Sequence, residues 1–298
     1  MRTNEQSCRA RKPINRTKNA EKFPIKNLIR LHKIFEVKKW EQPYDNEKNG
    51  DHDCLFNKYQ RTLMKMNPHE QSLFLNLTDN FLKIPLCEYQ ERFFEVIKRI
   101  FADYPDFHFY FFKCATKETE NQTKSSSVLL YQLKSPEIRS IKTVATTVSV
   151  IDHVSDIAEQ HFKENAVFVI VDDFVGSGKS AKDAIDYIKH SLKYLTGNEI
   201  FIVAAIVMMR DGYKTLKTLD YKPYYDIKLK RGISDRFKGK GRKVALITMD
   251  SIESKIPKLQ KEYHHGFRQS EALVCMIRCP NNTFPVYWLP SKDAPYAR

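Results

Sequence analysis

Residues 167–180 read VFVIVDDFVGSGKS, and the fold is decided by this run. Val167–Val171 is an unbroken stretch of β-branched and aromatic residues, short enough for a strand buried on both faces. Asp172 and Asp173 follow, then two apolar residues, then a loop of small residues. Ala181, Ile185, Ile188, Leu192 and Leu195 recur at helical spacing, so a helix is expected to open near Ser180 and to close at Gly197-Asn198. A buried strand that feeds a helix through a glycine-rich turn is the repeating unit of a parallel α/β sheet. The carboxyl end of such a strand is where these sheets bind ligands.

The same alternation extends to both sides. Phe107–Cys114 and Ile200–Met209 read as strands, Gly212–Leu219 as a short returning helix, and 244–256 as helical. Ala272–Cys279 reads as a last strand, turned by Pro280-Asn281-Asn282. Upstream, two helices are expected over His69–Leu82 and Glu88–Phe101, the second with Tyr89, Phe93, Val96, Ile97 and Ile100 on one apolar stripe. Residues 45–53 are polar, with Asn49-Gly50 as a turn signal, and read as a loop. The expected fold class is therefore α/β with a mainly parallel sheet and a helical, basic N-terminal extension. Its boundaries are 1–50 for the basic arm, 51–101 for a helical segment packing on the core, and 102–298 for the α/β domain.

With 298 residues, 42% of them hydrophobic, the chain can bury a substantial core. Its most apolar run, Ile200–Met209, falls well short of the roughly 20 residues that a membrane-spanning helix needs. No run of signal-peptide length follows the basic start, so a cytoplasmic location is expected. The six cysteines lie far apart, and the close pair Cys275 and Cys279 lacks a second pair to complete a zinc set. They read as free thiols, mostly in the core.

The net charge of +14 favours anionic partners without naming one. Residues 1–39 carry twelve Lys or Arg against three acids, and Arg9, Arg11, Lys12 and Arg16 are able to grip phosphates or simply to be solvated. Phe23–Trp40 is apolar enough to dock. Residues 228–243, KLKRGISDRFKGKGRK, hold eight Lys or Arg, one acid and three glycines, which reads as an exposed flexible loop. Three uses are open to it: a mobile cover supplying cations to a leaving pyrophosphate, a nucleic-acid contact, or a solvated surface.

The chemistry centres on the acid pair and its loop. Asp172 and Asp173 are placed to receive the two hydroxyls of a ribose. Gly176, Ser177, Gly178 and Ser180 leave room for a phosphate to approach backbone N–H groups at a helix amino terminus, and Lys179 adds a cation. A rival reading is the nucleotide-triphosphate loop, through Gly178-Lys179-Ser180. That motif needs glycine where Asp173 stands, and an acid there repels phosphates. Lys124, Ser125 and Ser126 form a weaker candidate for pyrophosphate, against an ordinary cap and turn.

The run VDDFVGSGKS resembles the signature of the type I phosphoribosyltransferases: an apolar strand, two acids, two apolar residues, then small-Thr-Gly-Gly-Thr. Gly176, Ser177, Gly178 and Ser180 match by class, while Lys179 replaces the second glycine. The resemblance implies that Asp172 and Asp173 hold the ribose hydroxyls of phosphoribosyl pyrophosphate, that the loop holds its 5-phosphate, and that Mg²⁺ accompanies the pyrophosphate. It also implies a homo-oligomer. Together with Lys124–Ser127 and the closing run PNNTFPVYW, the sequence looks like the divergent phosphoribosyltransferase-like proteins of bacterial conflict systems, including retron antiphage loci. This implies a partner complex with a reverse transcriptase and its RNA–DNA product. Two uses of the site remain open: phosphoribosyl transfer to a nitrogen nucleophile, or a non-catalytic nucleotide sensor joined to nucleic acid by the basic arm and 228–243.

Overall fold

The computed structural model describes residues 24–40, 54–141, 146–163, 165–289 and 294–296. The first twenty residues and the 45–53 segment, for which an arm and a loop are expected, lie outside the described residues. In chain order the elements begin with α1 (Ile25–Lys38), α2 (Leu55–Met64), α3 (Pro68–Asp79), β1 (Leu82–Lys83) and α4 (Tyr89–Asp103). Next come β2 (His108–Lys113), α5 (Ser125–Gln132), α6 (Pro136–Ser140), β3 (Thr147–Ile151), β4 (Ala166–Val175) and α7 (Lys179–Ser191). The chain continues through β5 (Ile200–Met209), α8 (Arg210–Thr218), β6 (Lys222–Leu229), α9 (Gly239–Ser254) and β7 (Val274–Cys275).

Five strands form one parallel sheet in the order β3-β2-β4-β5-β6. The chain leaves β2 toward β3 on one side and leaves β4 toward β5 on the other. The ends of the adjacent strands β2 and β4 therefore flank the point where the connections diverge, and a crevice opens at such a point. The acid pair lies on β4, beside that crevice. Both faces of the sheet are covered, which is why its central strands are apolar at nearly every position. Val167, Val169 and Val171 face α4 and α5 with Phe109 and Phe111, whereas Phe168 and Ile170 face α7 with Tyr110 and Phe112.

The alternation of side chains along β4 has a direct consequence for the acids. Asp173 shares the parity of Val171 and points to the α4/α5 side; Asp172 shares that of Ile170 and points to the α7 side. A third cluster lies apart from the sheet. There α1, α2, α3 and α9 enclose Phe35, Tyr59, Phe74 and Phe81 with Phe284 and Tyr287 of the C-terminal segment. The start of α3 is fixed by a capping box in which Asn67 and Glu70 satisfy each other's backbone N–H groups, a motif worth roughly 1 kcal/mol.

The expected fold class is the observed one. Strand Ile200–Met209 has the boundaries expected, and the helix after the glycine loop starts at Lys179. Strand β4 runs through both acids to Val175 instead of stopping at Val171. The last strand shrinks to Val274–Cys275, paired in parallel with β1 in a separate small sheet. Strands β3 and β6 are absent from the sequence reading because both lie at sheet edges, where charged and polar residues blur the pattern.

The 228–243 segment is not the flexible loop expected. Its first two residues end β6 and its last five begin α9. Between them Ile233 is fully buried, and the N–H groups of Ile233 and Ser234 donate to Glu271 at 2.8 and 2.6 Å. Arg231 pairs with Asp211 at 2.7 Å. Glycine and lysine content alone mistook a tethered connection for a mobile one. Among the described residues, no helix is long and apolar enough to cross a membrane. Cys54, Cys114, Cys275 and Cys279 are buried free thiols, and Cys87 is an exposed one.

Candidate functional site

A cavity of about 320 Å³ lies at the carboxyl end of β4, lined by Asp172, residues 174–181, Asp183, Phe267, Asn281 and Asn282. The loop residues Gly176, Ser177, Gly178, Lys179 and Ser180 therefore come together with Asp172, as the sequence reading expects. Gly178 is the N-cap of α7 at φ 80°, a left-handed conformation that glycine adopts without a Cβ penalty. No side chain caps the helix there. The Lys179 N–H reaches Ser177 Oγ at 3.4 Å, and the N–H groups that follow it in the first turn of α7 are left for an anion, with the positive end of the helix dipole behind them.

Two close approaches explain the other glycines. A Cβ on Gly212, in the first turn of α8, would fall 2.6 Å from the Gly176 carbonyl oxygen. A Cβ on Gly176 would fall within 2.4–2.5 Å of the Asn282 carboxamide. Gly176→Ala is accordingly expected to cost about 1–3 kcal/mol of folding stability by overpacking. A urea-denaturation midpoint equal to that of the unsubstituted protein would contradict this packing.

The two acids do not share surroundings. The Asp172 side chain is half-buried at the cavity wall, and its acidity is pushed well below that of an ordinary carboxyl group, its pKa rising through burial first and the neighbouring Asp173 charge second. The Cys114 thiol and the Asp173 N–H donate to it, the latter at 3.0 Å. Asp173 is 7% exposed and turned to the opposite face. One of its oxygens accepts the Tyr89 hydroxyl at 2.8 Å and the other accepts the Ser125 hydroxyl at 2.7 Å. Tyr89 in turn accepts the Ile277 N–H at 3.0 Å. Asp173 does not line the cavity.

The segment expected to hold pyrophosphate is engaged with the protein. Lys124 Nζ donates to the Cys114 carbonyl at 3.1 Å and to Thr119 Oγ1 at 2.9 Å. Ser125 is bound to Asp173, and the fully buried Ser126 hydroxyl meets no partner among the described residues. Lys179 pairs with Asp183 one turn along α7, so its ammonium is drawn away from the loop. That direction is opposite to what a triphosphate loop requires of its lysine. Among the described residues, no group of three or more His, Cys, Asp or Glu is placed to hold a metal ion.

Phe267 forms a wall with Asn281 and Asn282, which the sequence reading places in a turn. The turn that brings them there, 265–271, contains His265, Arg268, Gln269 and Glu271 at positive φ, each carrying strain of order 1 kcal/mol. Two buried acids hold it. Glu253 accepts the His265 N–H through both oxygens at 3.0 and 3.1 Å, and burial raises its pKa to about 8. Glu271 accepts from Ile233 and Ser234. The only sequence signal for this wall is the polar pair Asn281-Asn282 inside an otherwise apolar stretch.

Among curated proteins, none matches the chain in sequence. Among solved structures, it is similar to an orotate phosphoribosyltransferase from Aeropyrum pernix, at 11% identity and a TM-score of 0.26 over 46% of this chain and 68% of that one. A purine phosphoribosyltransferase from Pyrococcus horikoshii is similar at 15% identity and a TM-score of 0.27, over 50% and 87%. A hypothetical protein from Neisseria gonorrhoeae with bound ppGpp is similar at 8% identity and a TM-score of 0.30, over 50% and 85%. A sequence profile covers far more of the chain than these structures do: that of the PRTase-CE family matches residues 37–297, and the chain belongs to this family.

Proposed function

We propose that the chain binds the ribose 5-phosphate end of phosphoribosyl pyrophosphate or of a related nucleotide, with Asp172 on the sugar and Gly176, Ser177, Gly178 and Ser180 on the phosphate. The observation that carries this reading is that one cavity is lined together by the Asp172 carboxyl group, the glycine loop and a helix amino terminus that its N-cap residue Gly178 leaves without a side-chain cap. Lys179 contributes a screened positive charge beside Asp183. Magnesium enters this reading as a counter-ion carried by the ligand's pyrophosphate, not as a metal held by a protein cage.

In the transfer reaction, a nitrogen nucleophile bonds to the anomeric carbon of the ribose and the bond to pyrophosphate breaks, the electron pair leaving with pyrophosphate. For Lys124, Ser125 and Ser126 to receive that group, Ser125 must release Asp173 and Lys124 must release the Cys114 carbonyl. The closed state of this segment favours the second reading, in which the site senses a nucleotide without transfer. A role in antiphage defence beside a reverse transcriptase rests on the sequence resemblance, and contact with nucleic acid rests on the positive charge of the basic arm and of 228–243.

Calorimetric titration tests which ligand the site takes. Saturable binding of phosphoribosyl pyrophosphate with Mg²⁺ is expected, about tenfold or more tighter than ATP, because one phosphoryl group matches the loop and a triphosphate meets Asp183 as well. Tighter binding of ATP would overturn the proposal. An RNA–DNA hybrid titrated in parallel tests the nucleic-acid partner, whose affinity must fall steeply with salt.

A further inference from the structure

Asp173 does not line the cavity and its oxygens accept Tyr89 and Ser125, so the second hydroxyl acceptor that a ribose needs must come from elsewhere. We propose that it is Asn282: the ribose donates one ring hydroxyl to Asp172 and the other to Oδ1 of Asn282. This inference rests on the sugar-phosphate reading above.

Three observations support it. Asn282 lines the same cavity as Asp172 and the phosphate loop. It is only 8% exposed, and its Nδ2 is committed to Ser270 Oγ at 3.2 Å and the Phe267 carbonyl at 3.4 Å, while its Oδ1 accepts no hydrogen bond among the described residues. Oδ1 keeps contact with solvent in the cavity, so it is open to a ligand group that donates. A phosphate dianion offers no proton, whereas a sugar hydroxyl does.

The position is also over-determined. The Ser270 hydroxyl donates to the Asn282 carbonyl at 2.8 Å, and a Cβ on Gly266 would fall 2.0 Å from that same carbonyl oxygen. Gly176 has no Cβ that would displace the carboxamide. A strained turn held in place by buried acids is the pattern of a segment kept for what it presents. The neutral carboxamide supplies a hydrogen bond without the negative charge of a second carboxylate. This selects for a sugar phosphate while giving less stabilisation to a cationic ribosyl centre.

The test is calorimetry with ribose 5-phosphate, 2-deoxyribose 5-phosphate and 3-deoxyribose 5-phosphate. The unsubstituted protein should prefer ribose 5-phosphate to each deoxy analogue by about tenfold, the value of one hydrogen bond. Asn282→Leu, which keeps the branched shape and removes the acceptor, should abolish the preference against one analogue and retain the other. Asn282→Asp should retain both. Two intact preferences in Asn282→Leu would overturn the inference. Should that variant fail to fold, the side-chain amide resonances of Asn282 in the unsubstituted protein decide. They must shift with ribose 5-phosphate and with only one of the analogues, and an equal shift with both overturns the inference. If the unsubstituted protein binds none of the three, the sugar-phosphate reading itself falls, before any variant is made.

Discussion

Asp172→Asn is expected to bind ribose 5-phosphate about 100-fold more weakly and yet to be the more stable protein near neutral pH. The affinity follows from losing a charged acceptor, since hydrogen bonds to ionised groups contribute about 1.5–3 kcal/mol. The stability follows from the raised pKa of Asp172, caused by burial and by the adjacent Asp173 charge. A carboxyl group whose folded pKa exceeds its unfolded value, about 3.9, binds more protons in the folded state. Its stabilising contribution is present below the unfolded pKa and is lost as pH climbs through the folded one.

Asparagine cannot ionise, so the variant escapes that loss. The difference in melting temperature between Asp172→Asn and the unsubstituted protein should therefore grow from pH 5 to pH 7.5. Sugar-phosphate affinity of the unsubstituted protein should rise as Asp172 ionises, beyond any rise shown by the variant, because hydroxyl donors favour the ionised carboxylate. Thermal unfolding at the two pH values and calorimetry of both proteins check this. Undiminished affinity in the variant would remove Asp172 from the site.

Asp173→Ala should behave in the opposite manner, with the fold suffering first. Its carboxylate receives Tyr89 from α4 and Ser125 from α5, and through Tyr89 it secures the Ile277 N–H beyond β7. Removing it strands two hydroxyl donors in a site that water barely reaches. A loss of about 2–4 kcal/mol is expected, with an unsatisfied buried group costing about 1–3 kcal/mol and part of the loss recovered by relaxation. Burial and the Asp173 charge both push the Tyr89 phenol far above its usual pKa, so tyrosine stays a donor at every working pH.

Tyr89→Phe should cost about 1–2 kcal/mol, and in the double variant the two losses should fall short of additive because the groups act on each other. Urea denaturation of the three variants measures this. A midpoint for Asp173→Ala equal to that of the unsubstituted protein would return Asp173 to the pool of ligand-binding acids. Two adjacent identical residues would then differ only in name, contrary to their opposite placement across β4.

The contrast between these acids shows where reading the chain residue by residue succeeds. The strand, the glycine turn and the helix after it are legible because each is set by neighbours in sequence: β-branched residues favour the strand, Gly178 tolerates positive φ, and Ala181, Ile185 and Ile188 share one helix face. Period-two alternation already puts Asp172 and Asp173 on opposite faces if the strand continues past Val171. Because the strand was taken to end there, both acids were assigned to one ligand. Strand β6 escaped notice for a related reason: every one of its residues retains some solvent exposure, so no apolar run marks it.

Local sequence thus determined the parallel α/β class, the place of the glycine loop and the choice of glycine at Gly178, since strand and helix propensity and left-handed backbone depend on a few consecutive residues. Tertiary structure alone decided that Asp173 faces Tyr89 and Ser125, that Lys179 turns to Asp183, and that Asn282, 106 residues beyond Gly176, lies against its Cα. Those outcomes depend on which distant segments occupy the space beside β4. Such neighbours are selected by the burial of whole helices and by strained turns held on buried acids, and they leave no periodic mark on the chain itself.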